Sequence, residues 1–133
     1  MTPIPDSVKK LIETKAYASF ATLGPDGSPH VATTWVDHEG DLVIVNTFEG
    51  SQKQKNAARD QRVALTIMEL GVPFNVATVR GRVREITVKG AEEHIDKMAN
   101  KYMGQDKYPR RSPGEKRILI KIEPTKVIAP RAR

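Results

Sequence analysis

The chain has no cysteine. That removes disulfides, thiolate metal sites and a cysteine nucleophile together. Aromatic residues make up only 5%, which is thin for stacking successive bases of a single strand. No apolar run approaches the ~20 residues that a membrane helix needs. GxSxG, the P-loop and GxGxxG are all missing, so the usual signatures of acyl transfer and nucleotide binding are absent. His30, His38 and His94 stand without metal-ligand spacing, and no metal site is expected. Nothing resembles a paired-carboxylate catalytic site, so no protein residue is assigned as catalytic. Any reaction would take its chemistry from a cofactor.

What is present suits one globular domain spanning residues 1–133. A chain of this length can bury roughly two-thirds of its unfolded surface. The charge balance is 22 − 16 = +6. A basic balance points to an anionic partner: nucleic acid, a membrane surface, or a phosphorylated or polycarboxylate small molecule. The stretch MTPIPDSVKKLIETK has an amphipathic pattern and no signal-peptide core, so a cytoplasmic location is expected.

Asp6 or Ser7 can cap a first short helix with Val8, Leu11 and Ile12 on one face. YASFATL (17–23), HVATTWV (30–36), LVIVNT (42–47), RVALTIME (62–69), NVATVRGRVREITV (75–88) and RILIKIEPTKVIA (117–129) read as six strands. Pro124 is expected to interrupt the last one. GPDGSP (24–29) and DHEGD (37–41) read as turns. The continuous LVIV run predicts burial on both faces. Gly81, inside the long fifth strand, suggests a bulge or barrel bend. Helices are expected over 51–60 and 90–104, with Gly104 as the stop of the second. Strands at close spacing with few helices predict a mainly β fold, a small closed barrel with helices at its rim.

Three features invite a functional reading. The helix beginning at Ser51 carries Gln52, Lys53, Gln54 and Lys55 at its positive end, where acidic residues are favoured. A phosphate held by backbone N–H groups and these side chains would account for that; so would a solvated polar helix. Arg80, Arg82 and Arg84 share one face of a strand. They either meet an anion or face solvent beside Glu85 or Glu69. Trp35, the only tryptophan, is either core or the wall of a flat-ligand site.

The order FATLGPDGSPHVATTWV, DLVIVNT, GSQKQKNAARDQRVAL, VRGRVREI resembles the flavin- and deazaflavin-binding split β-barrel proteins, the pyridoxamine 5'-phosphate oxidase-like superfamily. KYMGQDKYP and PGEKRILIKIEPTKV are similar to its branch of oxidoreductases using coenzyme F420. The resemblance implies a six-stranded split β-barrel homodimer with the cofactor in the groove between subunits. It implies that Ser51, Gln52, Lys53 and Asn56 hold the cofactor phosphate. Lys55 stands where the family often has Arg, which keeps the charge and loses the bidentate fork. Thr33, Thr34 and Trp35, with Val45, Asn46 and Thr47, would flank the ring, and Arg80 would meet an anionic portion of the cofactor. The implied activity is hydride transfer between F420 and a small organic acceptor. An FMN-binding protein or FMN-dependent oxidoreductase is the alternative. A basic nucleic-acid-binding small barrel is a second, disfavoured by the scarcity of aromatics and by the lack of a base-reading Lys/Arg cluster.

Overall fold

The computed structural model describes residues 2–131; Met1, Ala132 and Arg133, the ends of the expected 1–133 domain, lie outside the described residues. In chain order the elements are α1 (Asp6–Glu13), β1 (Ala16–Leu23), β2 (Pro29–Trp35), β3 (Asp37–Glu39), β4 (Leu42–Phe48), α2 (Gln52–Arg59), β5 (Arg62–Glu69), β6 (Val72–Thr87), α3 (Ala91–Met103) and β7 (Arg117–Ile128). The strands form one seven-stranded sheet in the order β2-β1-β5-β6-β7-β4-β3, and every pairing is antiparallel.

The two edge strands of that order, β2 and β3, are consecutive in the chain and separated by Val36 alone. One residue cannot span a flat sheet of seven strands about 4.8 Å apart, so the sheet rolls until its edges meet at Val36. The edges are not hydrogen-bonded to each other. A seam is left there, and the groove described below opens in it.

Alternation explains most of the burial. Along β1 the residues Ala16, Ala18, Phe20 and Thr22 point inward, and along β5 Val63, Leu65 and Ile67 do the same. The LVIV run is buried from Val43 to Val45, as its continuous apolar character predicts. Val8, Leu11 and Ile12 of α1 close the main core. Gly81 sits at a register irregularity opposite Pro124. A Cβ there would stand 2.6 Å from the Glu123 carbonyl oxygen, so the close strand approach admits only glycine.

Four expectations change. The six strands become seven, because Asp37–Glu39 pairs with β4 rather than forming a turn. Pro124 interrupts only the register with β6 and not the last strand itself, which runs through it from Arg117 to Ile128, since the irregularity opposite Gly81 absorbs its missing N–H. The fifth strand begins at Val72 instead of 75. Finally, α1 starts at Asp6 with Pro5 as N-cap and no side-chain cap bond; Asp6 instead lies in the first turn, where its charge suits the helix dipole.

Helix α3 is stopped at Gly104, whose φ of 68° lets its N–H reach back to Ala99 and Asn100. Its residue Tyr102 pins the seam. The hydroxyl donates to the Ala16 carbonyl and accepts from the Val36 N–H at 3.3 Å. Burial pushes this phenol up to about 12.

Candidate functional site

A groove of about 290 Å³ opens between β2 and β4, with α3 and the 105–117 segment forming its other walls. That is near the lower end of the roughly 300–1,000 Å³ typical of small-molecule sites. One wall is aromatic. Trp35 stacks on Tyr102 with ring centroids 4.8 Å apart and planes at 2°, and Tyr108 meets Trp35 edge-on at 5.9 Å. Ile95, Met98 and Met103 add apolar, deformable surface from α3.

The opposite side is polar and internally ordered. His94 Nε2 stands 2.9 Å from Asp37 Oδ2. Burial works against the Asp37 carboxylate, but the bond from His94, the His38 N–H and the charge of Lys97 hold its pKa down to about 2. With Asp37 ionised, the His94 proton belongs on Nε2 and Nδ1 becomes an acceptor. Asn46 Nδ2 donates to that Nδ1 and to the Ala91 carbonyl, both at 3.0 Å. Asn46 Oδ1 then accepts from Arg117 Nε at 3.0 Å. Arg117 completes the chain with an ion pair of 2.9 Å to Glu115, both side chains largely buried, and its guanidinium lies over the Tyr108 ring.

Lys53 and Arg110 also line the groove. Lys53 is half-buried, and neither a carboxylate nor a hydrogen-bond acceptor meets its ammonium among the described residues. Burial, and after it the charge of Arg117, pull the Lys53 pKa down. Both causes disfavour its charged form, and an anion in the groove would relieve the second. A cationic corner facing an apolar, aromatic slot is the arrangement a flat molecule with an anionic group requires.

Of the residues named from sequence, Thr33, Thr34, Trp35, Asn46, Thr47 and Lys53 lie together on this groove. Val45 does not: it alternates with Asn46 and is sealed in the main core. Ser51 is buried as the N-cap of α2, its Oγ accepting from Gln54 N and from Thr47 Oγ1. Gln54 in turn accepts from the Gly50 N–H, so the cap is built from the helix's own side chains. Gln52 donates to Asn56 Oδ1, and Asn56 donates to Thr22 in the interior. Lys55 is exposed, and its offset of two residues, about 200° around a helix, carries it away from Lys53. Arg80 is exposed on the outer face of β6, off the groove. Neither Glu85 nor Glu69 pairs with it: Glu85 meets Lys121, and Glu69 accepts from Asn75.

Sequence reasoning missed His94, Tyr108 and Arg117. A signal existed for Arg117, because in the sequence it opens the apolar run Ile118, Leu119, Ile120, and all four positions are buried in β7. A charged residue beginning such a run has to be partnered.

The sequence profile of the family described as "Pyridoxamine 5'-phosphate oxidase" matches residues 4–129. Among curated proteins, none matches the sequence. Among solved structures, a protein named F420 Reductase superposes with a TM-score of 0.79 at 25% identity, covering 94% of this chain and 98% of that one. HupZ from Group A Streptococcus is similar at TM-score 0.66 and 19% identity, over 95% of this chain and 93% of that one. General Stress Protein 26 from Bacillus anthracis is similar at TM-score 0.66 and 18% identity, over 92% and 89%. The last two speak for the fold alone.

Proposed function

Because the chain belongs to the pyridoxamine 5'-phosphate oxidase family, we propose that it is a flavin- or deazaflavin-dependent oxidoreductase of split β-barrel fold, with coenzyme F420 as its cofactor. One observation carries the reading: Lys53, half-buried and without an anionic partner among the described residues, faces a slot walled by Trp35 and Tyr108. A planar ring with an anionic substituent fits both sides of that site. The similarity to F420 Reductase favours the deazaflavin over FMN, which is the alternative.

When bound, the deazaflavin supplies hydride chemistry toward a small organic acceptor. The chain supplies the rest. Thr33, Thr34 and Trp35 present one strand edge along the slot, and Lys53 anchors the anion. Met98 and Met103 exclude water and adapt to the acceptor. Position and orientation contribute most of the rate, with no protein acid or base required. The slot is small for a whole dinucleotide-sized cofactor, which suits a homodimer whose second chain completes it. Among the described residues, no helix is long and apolar enough to cross a membrane.

Parallel titrations of F420 and FMN, read by the fluorescence of Trp35, test the assignment. Saturable quenching by F420 at one site per chain is expected. Quenching by FMN alone moves the assignment to the alternative, and no response to either rejects it.

A further inference from the structure

Arg117 is only 5% exposed, yet it lines the groove. Its Nε is committed to Asn46 and its Nη1 to Glu115. Its Nη2 has no protein partner among the described residues. It therefore keeps both N–H donors of Nη2, on a guanidinium that its other two bonds hold in place at the wall of the slot. The frame is complete on the Asn46 side. Both Asn46 donor hydrogens and its acceptor oxygen are used, so its side chain holds Arg117 rather than contacting a ligand. The frame ends in His94 and the ionised Asp37, which fix the direction of every bond in the chain. Lys53 lines the same groove as Arg117, and the charge of Arg117 disfavours its ammonium. Two cations that repel across an open slot share an interest in one anion.

We propose that Arg117 is an oxyanion-binding residue of the groove, closing with Lys53 on a single phosphate or carboxylate of the bound molecule, and that Asn46 is the positioning residue that aims it. The identity of the ligand rests on the cofactor reading above; the two-cation clasp does not. Glu115 matters to the design. Its ion pair with Arg117 keeps the guanidinium buried and oriented ahead of binding, while Lys53 supplies the net charge.

The test compares each cofactor with its phosphate-free form: FMN with riboflavin, and F420 with the deazaflavin that ends at the ribityl chain and lacks the phosphodiester and its carboxylate tail. Dissociation constants come from Trp35 quenching in wild type, R117K, R117M, N46A and N46D, with thermal midpoints recorded alongside. The preference for the phosphorylated form should fall about tenfold or more in R117M, the scale of one charge-assisted hydrogen bond. R117K, which keeps the charge and loses the fork, should fall less and serves if R117M does not fold. N46A should lose part of the preference, and N46D, which still offers Arg117 an acceptor, should restore it; a purely structural role would move the midpoints and leave the preference alone.

If the preference survives in R117M but the cofactor-loaded protein loses its binding of benzoate tenfold, the oxyanion is the acceptor's and the clasp stands. If neither quantity moves in a folded Arg117 variant, the inference is overturned while the cofactor reading stands. If wild type binds none of the four molecules, the cofactor reading falls and inorganic phosphate decides the clasp. Millimolar quenching lost in R117M supports it; no response in wild type overturns it.

Discussion

Arg117 Nε donates to Asn46 Oδ1 at 3.0 Å, joining residues 71 positions apart. The bond is possible because β4 and β7 are neighbours in the sheet, with Asn46 directly opposite Leu119. It makes Asn46, a residue expected beside the ring and lining the groove, also the support of a buried guanidinium. The consequences can be measured in stability as well as in binding.

Lys53 should carry more cofactor affinity than any other member of the α2 start. Lys53→Ala is expected to weaken binding by about 1.5–3 kcal/mol, the scale of a charge-assisted hydrogen bond. Lys55→Ala, on the exposed side of the helix, should leave the dissociation constant within about a factor of two, a surface-charge effect. Fluorescence titration of the two variants compares them directly; equal losses would remove Lys53 from its assigned place.

Breaking the Arg117–Glu115 pair from one side should be costly. Arg117→Met leaves Glu115 largely buried without its partner, a loss of about 3–5 kcal/mol. Replacing both residues by apolar ones should recover much of that. Urea denaturation of the two single variants and the double variant closes the cycle, and strict additivity would show that the pair is not coupled.

Acid should weaken the fold through Asp37. Its folded pKa of about 2 lies below the ordinary value of 3.8. The stabilisation is therefore fully present above pH 3.8 and is lost as pH falls toward 2, amounting to about 2 kcal/mol. Asp37→Asn should flatten this part of the pH–stability curve. An unchanged acid limb in the variant would place the sensitivity elsewhere.

Tyr102 predicts the alkaline limb. Burial raises its pKa to about 12 from 10.0, so its contribution is complete below pH 10 and fades as pH rises toward 12. Tyr102→Phe removes the bonds to Ala16 and Val36 and should cost about 1–3 kcal/mol at neutral pH, since two buried backbone groups lose their partner. Denaturant midpoints from pH 7 to 11 give both quantities.

Gly81→Ala should be among the most damaging small substitutions. The added methyl meets backbone at 2.6 Å, and relief requires β6 and β7 to separate. Overpacking of this kind typically costs about 1–3 kcal/mol. A thermal midpoint equal to wild type would mean that the strands shift apart freely.

Local chemistry in the sequence determined a good deal. Alternation marked the strands, the unbroken LVIV run marked the buried one, and Gly81 and Gly104 marked a strand irregularity and a helix stop, because each depends only on near neighbours in the chain; that Gly81 also lies against Glu123 was left to the tertiary structure. Even the separation of Lys53 from Lys55 follows from helical geometry. The site itself came from elsewhere. Asp37 and His94 lie 57 positions apart, and Asn46 and Arg117 still further. They meet because the sheet order places β7 beside β4 and because α3 folds over the seam at Val36. Periodicity says which face a residue occupies, not which strand lies next to it. Strand adjacency is settled by packing the whole core, and only the tertiary structure could turn a lone polar Asn, His and Arg into one hydrogen-bonded wall.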